Sequence, residues 1–272
     1  MAKTALIESS VVRSAIGIGS TAQKKAIEAE AGCRTLSSLT YIRMEFIRSF
    51  LQPLAQMAGV FTAHRSIREA TNYLSQHFAK RQPKEHERIL GIIIDKATPP
   101  TPTSYAEACV SIAEQALRKF DKVFAHIHKN HCGCKIGSMK FRPRANNRVE
   151  DLLLFVQEFD TGVSDCEISD WLQLDSGRSA TRKLLAAIPP SDRIAAVDAL
   201  REIWTSGERV NCGSCRRIGD AVIALEQPMT SLLIHCDAAF DTLSEQTGKD
   251  AKKVGSVTAL DRESIPDLPP LN

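Results

Sequence analysis

Residues 229–247, MTSLLIHCDAAFDTLSEQT, decide the fold prediction for this chain of 272 residues. A short apolar run ends at His235, Asp237 follows, and a helical pattern then continues to Thr247. Short apolar runs bounded by polar residues are typical of buried strands, and alternating strands and helices are typical of α/β proteins. The segment therefore predicts a strand, an acidic turn and a helix.

The amino-terminal end shows a related pattern. Residues 4–12, TALIESSVV, predict a buried strand followed by a turn that carries Glu8, Ser9 and Ser10. Residues 34–39 predict a second strand, and the spacing of apolar residues over 40–59 predicts a helix. Helical patterns fill most of the middle, including one over 104–128, and a last strand is predicted over 254–260. The chain is thus predicted to be α/β, with a central parallel sheet flanked by helices and a mostly helical insertion.

Four acids stand beside these apolar segments. Glu8 ends the first strand, Glu45 lies on the helix after the second, Asp220 starts the helix in RRIGDAVIAL, and Asp237 follows LLIHC. Each acid alone has an ordinary explanation, namely a helix cap, a macrodipole contact or a solvated position. Because carboxyl ends of parallel strands converge on one crevice, the four together predict a single acidic site.

The surroundings of these acids resemble the PIN-domain ribonuclease family. ALIESSVV resembles its first strand with an acid followed by Ser-Ser, LSSLTYIRMEF its strand-to-helix segment with a Glu, RRIGDAVIALEQ its third motif and LLIHCDAAFDTLSEQTGK its fourth. The family usually has Asp where this chain has Glu8, and Thr or Ser where it has His235. The resemblance implies a PIN-like core over 1–95 and 205–262, an insertion over 96–204 and a flexible tail over 263–272.

The chemistry that the resemblance implies is hydrolysis of RNA phosphodiester bonds with Mg²⁺ or Mn²⁺. Glu8, Glu45, Asp220 and Asp237 would hold the metal, since Mg²⁺ prefers oxygen ligands. Ser10 would support the site by hydrogen bonding, and His235 would orient a water or phosphate or simply pack. Two alternatives remain open: a PIN-fold nucleic-acid-binding protein with weak or no catalysis, and a toxin-type ribonuclease held by an inhibitory or antitoxin protein.

The eight cysteines of the chain include two close pairs, Cys132/Cys134 and Cys212/Cys215. The second is a CxxC knuckle, whereas the CxC spacing of the first is a less common ligand spacing. Together they predict a structural Cys₄ zinc site, or a Cys₃His site if His126, His128 or His131 replaces one cysteine, and reduced cysteines in turns are the competing interpretation. A zinc-stabilised protein-interaction module is a further alternative.

A basic stretch lies between Ala116 and Val149, with nine basic residues and one acid, a formal charge of +8 that leaves −5 for the rest of the chain. Such asymmetry favours an RNA partner, and a solvated helix face is the alternative. The predicted nucleic-acid contacts, with Phe141 as a base-stacking ring, are Lys129, Lys135, Lys140, Phe141, Arg142, Arg144 and Arg148, joined by Arg216 and Arg217.

The remaining composition is that of a globular protein, with 43% hydrophobic and 25% charged residues. The first residues lack the apolar region of a signal peptide, and no run of 18 apolar residues is present. We therefore expect a cytoplasmic protein without a membrane span, and a homo-oligomer is compatible with the sequence.

Overall fold

The computed structural model describes residues 4–32, 34–77, 83–128, 139–161 and 167–255, and it has the predicted α/β fold class. Five parallel strands form one sheet in the order β3-β2-β1-β4-β5. The strands are β1 (Thr4–Ile7), β2 (Thr35–Leu39), β3 (His126–His128), β4 (Ser231–His235) and β5 (Ala251–Lys253).

Helices connect and cover these strands. A π-helical turn, Ile47–Leu51, joins α3 to α4, and a 3₁₀ turn, Pro190–Asp192, precedes α11. The helices are α1 (Ser9–Ala15), α2 (Thr21–Ala31), α3 (Thr40–Phe46), α4 (Gln52–Ala63), α5 (Ile67–His77), α6 (Pro83–Lys96), α7 (Pro102–Val123), α8 (Arg148–Thr161), α9 (Glu167–Gln173), α10 (Asp175–Ala187), α11 (Ala195–Ser206), α12 (Cys212–Arg217), α13 (Gly219–Glu226) and α14 (Ala239–Thr247).

Strand β1 is the centre of the sheet. Leu6 pairs in register with Ser37 of β2 on one side and with Leu233 of β4 on the other. Ala5, Leu6 and Ile7 have no exposed surface, and because successive side chains of a strand point to opposite faces, β1 is covered on both faces. The apolar runs of the sequence thus form strands because both faces of the central sheet are buried.

The strand order reverses next to β1. The chain builds β2 and β3 on one side of β1 and then returns to build β4 and β5 on the other. The connections after β1 and β4 therefore leave the sheet in different directions, and such a point opens a crevice at the carboxyl ends of the strands. Glu8 and Asp237 follow these two strands, so the fold places both acids at this crevice.

Several predicted elements differ from the structure at their ends. The segment Ser9–Ala15 is helix α1 rather than a turn, because the Glu8 carboxylate accepts a hydrogen bond from the backbone N–H of Ser10 and caps the helix. The helix predicted over 104–128 ends at Val123, and His126–His128 pairs with β2 instead. The last strand lies at Ala251–Lys253, before the predicted range, of which 256–260 falls outside the described residues.

Contacts divide the chain into two compact units at positions other than the predicted boundaries. In the described part, the first unit contains residues up to Ile47, from Lys119 to Met139 and from Phe159 onward, and it holds the whole sheet. The second contains Arg48–Arg118 and Lys140–Glu158. Residues 48–95 thus group with part of the predicted insertion, whereas 159–204 group with the sheet; the predicted tail, 263–272, lies outside the described residues.

The second unit is helical throughout its described elements. Phe61 of α4 packs against Tyr105 of α7 with ring centroids 5.1 Å apart. Arg148 of α8 forms ion pairs with two acids of α7, Glu107 at 3.2 Å and Glu114 at 2.7 Å. Aromatic packing and ion pairs therefore tie its helices together. Across the described residues of both units, no helix combines the length and the apolar character needed to cross a membrane.

The central sheet supports a stability prediction. Truncating Leu233 to Ala removes buried contacts at the β1–β4 junction and is expected to lower the free energy of unfolding by about 2–5 kcal/mol. Met229→Ala, four residues earlier at a side chain that is 67% exposed, is the control and is expected to change it by about 0.5 kcal/mol or less. Urea unfolding midpoints measure both values, and equal effects would contradict the placement of β4.

Candidate active site

Glu8 is the buried acid of the candidate site. Its backbone N–H donates to the Ile234 carbonyl at 3.0 Å, which fixes the residue against the end of β4. Its side chain is only 5% exposed, and the carboxylate accepts hydrogen bonds from the backbone N–H of Ser10, at 2.9 Å, and from the Ser10 hydroxyl. Ser10 thus supports Glu8 by the hydrogen bonding that the sequence predicted.

Burial raises the pKa of Glu8 to about 8, because a charged carboxylate is poorly stabilised away from water. The two hydrogen bonds from Ser10 act in the opposite direction, and the neighbouring charges of Glu45 and Asp220 raise the pKa further. Glu8 is therefore mostly protonated at neutral pH. The same effects show that Glu45 and Asp220 lie near enough to Glu8 to interact electrostatically.

Glu45 is held between two helix starts. Its carboxylate accepts a hydrogen bond from the Ser9 hydroxyl, at the start of α1. A Cβ atom on Gly219, the first residue of α13, would stand 2.9 Å from Glu45 Oε1 and 2.5 Å from Tyr41 Oη. Since Tyr41 is fully buried and donates to the Cys215 carbonyl at 2.9 Å, its ring cannot move aside freely. Glycine at position 219 therefore permits the close approach of α13 to α3.

Asp220 and Asp237 complete the acidic set. Asp220 follows Gly219 in the first turn of α13, and its pKa is raised to about 6 by burial first and by the charge of Asp237 second. Asp237 is exposed, and its Oδ1 accepts from the Ala239 N–H at 2.9 Å where α14 begins. The four acids thus form an electrostatic series, from Glu45 to Glu8, Asp220 and Asp237.

His235 fixes the turn after β4. The side chain is fully buried, with Nδ1 2.8 Å from the Asp237 carbonyl oxygen and Nε2 3.4 Å from Asp241 Oδ1. Its ring also packs against Phe240 at 5.5 Å. Burial lowers the pKa of His235, so the ring is neutral at neutral pH. These contacts position Asp237 through its backbone.

Three contributors to the site were not predicted as such from the sequence. Ser9 hydrogen-bonds Glu45, Gly219 leaves room for it, and Cys236 places its Sγ 2.8 Å from the Ser10 hydroxyl. The Ser10–Cys236 contact joins residues that are 226 positions apart. Each of these three residues is the sequence neighbour of one of the four acids, and this is the signal by which the sequence could have indicated them.

The acids have carboxylate donors suited to a hard cation but do not form a preassembled ligand set. Within the described residues, no three His, Cys, Asp or Glu side chains are grouped so that they could hold a metal ion. Glu8 and Glu45 are instead engaged by Ser10 and Ser9. A bound cation would therefore have to compete with a proton on Glu8 and with two serine hydroxyls.

The predicted zinc ligands are mostly beyond what the structure describes. Cys132 and Cys134 lie outside the described residues, as does the side chain of Cys212. Cys215 is buried, 2% exposed, in α12, and its backbone carbonyl accepts the hydrogen bond from Tyr41 of α3. Structural zinc stays a prediction.

Three of the nine predicted nucleic-acid contacts form ion pairs with acids of the same chain. Arg144 pairs with Asp151 at 2.6 Å, Arg148 with Glu107 and Glu114, and Arg217 with Glu202 at 2.7 Å. The other positions differ in their surroundings: Lys140, Arg142 and Arg216 are exposed, Phe141 packs on Phe155 with centroids 5.1 Å apart, and Lys129 and Lys135 lie outside the described residues. The charge of +8 is thus partly neutralised by acids from elsewhere in the chain.

Comparisons with protein-family models, with curated proteins and with solved structures returned no match for this chain.

The raised pKa of Glu8 predicts a pH-dependent stability. Because the folded-state pKa of about 8 exceeds the ordinary value of 4.5, the contribution of Glu8 to folding stability is fully present below about pH 4.5 and is lost as the pH rises towards 8. Glu8→Gln keeps the shape but carries no charge, so it should lack this loss and be more stable than the wild type above pH 8 by a few kcal/mol, at about 1.4 kcal/mol per pKa unit.

Urea unfolding at a series of pH values measures this difference. Glu245→Gln, at an exposed carboxylate of α14, is the matched control and should follow the wild-type curve. Parallel curves for Glu8→Gln and the wild type would show that Glu8 is not a buried carboxyl group.

Proposed function

We propose that the protein is a metal-dependent endoribonuclease that hydrolyses phosphodiester bonds of single-stranded or structured RNA with Mg²⁺ or Mn²⁺. The observation that carries this proposal is the electrostatic series of Glu45, Glu8, Asp220 and Asp237 at the point where the strand order reverses. Ligand sites of open parallel sheets lie at this point. The resemblance of the surrounding motifs to the PIN-domain ribonucleases supports the same function.

The donor chemistry of the four acids fits a hard divalent cation. All four offer carboxylate oxygens, the ligands that Mg²⁺ prefers. The neighbours that raise the pKa of Glu8 are themselves acids, so a bound cation would offset both the burial and the mutual repulsion. When bound, such a cation supplies a lowered water pKa and stabilises the charge that develops on a phosphate.

The side chains have distinct tasks in this proposal. Asp237 is exposed and would face a phosphate that enters the crevice, and His235 fixes the turn that carries it. Asp220, with a pKa of about 6, is ionised at neutral pH but close enough to neutrality to accept a proton from an attacking water at its carboxylate. Glu8 must lose its proton before it can act as a ligand, while Ser9 and Ser10 keep Glu45 and Glu8 oriented.

A second candidate is a nucleic-acid-binding protein of the same fold with weak or no catalysis. Two observations favour it. Glu8 is mostly protonated at neutral pH, and no three acids in the described part form a preassembled metal site. Both would allow the crevice to persist without efficient hydrolysis.

Cleavage of a labelled single-stranded RNA in the presence of Mn²⁺ tests the proposal. Asp220→Asn and Asp237→Asn are each expected to lower the cleavage rate by about 100-fold or more, the scale seen when a group that stabilises transition-state charge is removed. Asp192→Asn, at an exposed acid of the 3₁₀ turn, is the matched control and should cleave at the wild-type rate.

The outcomes separate the two candidates. RNA binding without cleavage by the wild type and all variants favours the binding protein. Cleavage that persists unchanged in Asp220→Asn and Asp237→Asn would place the activity elsewhere or in a contaminant, and the proposed site would be wrong.

A further inference from the structure

Helix α10 carries three basic side chains that no acid in the described part of the chain neutralises. Arg178, Arg182 and Lys183 are all exposed, and none forms an ion pair with a described acid. Arg178 donates instead to the neutral Oε1 of Gln173 at 2.7 Å. The acid on this helix, Asp175, lies in its first turn, where the helix dipole favours a negative charge. The helix therefore presents a basic face to solvent.

Several arginines elsewhere in the described chain are neutralised by acids, unlike those of α10. Arg144, Arg148, Arg201 and Arg217 each pair with an acid at 3.2 Å or less. On α10, Arg178 and Arg182 are four residues apart, a spacing at which like charges repel and destabilise a helix. An anion bound from outside the chain would remove this repulsion.

The small side chains around these cations favour a phosphate backbone over a protein as the bound partner. The exposed side chains between and after the cations are small, including Ser179, Ala186 and Ala187, while Leu184 is buried. Protein interfaces depend on aromatic and other large anchors that fill pockets. Leu174, which precedes the helix and is 50% exposed, offers too little apolar surface for a protein partner or for insertion into a membrane.

The position of α10 connects it with the candidate active site. Helix α10 packs against α14, within the same compact unit, and α14 begins two residues after Asp237. The helix that follows Asp237 is therefore in direct contact with α10, which places the basic face in the same part of the unit as the candidate site.

We propose that Arg178, Arg182 and Lys183 of α10 form a binding surface for the phosphate backbone of single-stranded RNA. This inference rests on the proposed function, because it names a surface that holds the substrate beside the acidic crevice. The contacts are made to phosphates and not to base edges, so the surface adds affinity without sequence preference.

The test uses the double variant Arg182→Gln/Lys183→Gln, which spares Arg178 and its contact with Gln173. The control, Lys24→Gln/Lys25→Gln on α2, removes the same charge from another surface of the same unit. Fluorescence anisotropy with a labelled single-stranded oligoribonucleotide, in the presence of a chelator so that no cleavage occurs, measures binding over a range of salt concentrations. Cleavage in Mn²⁺ is measured in parallel.

We expect the α10 variant to bind about tenfold more weakly than the control, with a salt-dependence slope that is smaller in magnitude by about 1.4, since each phosphate contact to a single strand contributes about 0.7. Its KM for cleavage should rise while kcat stays unchanged. Equal binding by the two double variants would overturn the inference while leaving wild-type cleavage, and so the proposed function, intact.

Two further results are informative. Loss of RNA binding in the α10 variant, with no cleavage by any form of the protein, would support the binding surface and reject the nuclease. Binding to phosphatidylserine vesicles that is lost in the α10 variant, with no RNA binding by the wild type, would overturn the inference in favour of a membrane surface.

Discussion

The site depends on the burial of the Glu8 carboxyl group at the end of the central strand. A carboxylate that is 5% exposed is costly to ionise, and the chain offsets that cost with a proton and two hydrogen bonds from Ser10. The backbone bond from Glu8 to Ile234 fixes the strand end between β1 and β4. Strand β1 has neighbours on both sides and ends at Glu8. The charges of Glu45 and Asp220 raise the pKa of Glu8, and the charge of Asp237 raises that of Asp220.

The parts of this arrangement that the sequence predicted are those with a local signal. The segments Thr4–Ile7, Thr35–Leu39 and Ser231–His235 are long enough to predict strands, and the acids next to two of them predict a crevice. Strand β3 carries no such signal, because His126–His128 has three residues and pairs along one side with β2. Its pairing comes from tertiary contact, which also returns part of the predicted insertion to the sheet.

The contacts that orient the acids could not be predicted from the sequence either, because they join residues that are far apart in the chain. Ser9 reaches Glu45 across 36 positions, and Ser10 reaches Cys236 across 226. Gly219 is needed only because α13 approaches Glu45 and the buried Tyr41. The charge of the basic stretch was likewise counted along the chain, whereas Arg148 finds its partners on α7, more than thirty positions away. Charge that stays unpaired in space, as on α10, is visible only once the helices are placed.

Position 8 carries glutamate, whose side chain is one methylene longer than that of aspartate, and this residue bears directly on the proposed chemistry. Glu8 caps α1 by accepting from the Ser10 N–H, and the same carboxyl group holds a proton up to about pH 8. A cation can use this carboxylate only after displacing that proton, so binding and proton release are coupled. Under the proposed function, cation affinity should therefore rise with pH up to about 8, whereas the stability of the cation-free protein falls over the same interval. The charge on buried Glu8 thus lowers the stability of the cation-free protein, and a bound cation would neutralise that same charge.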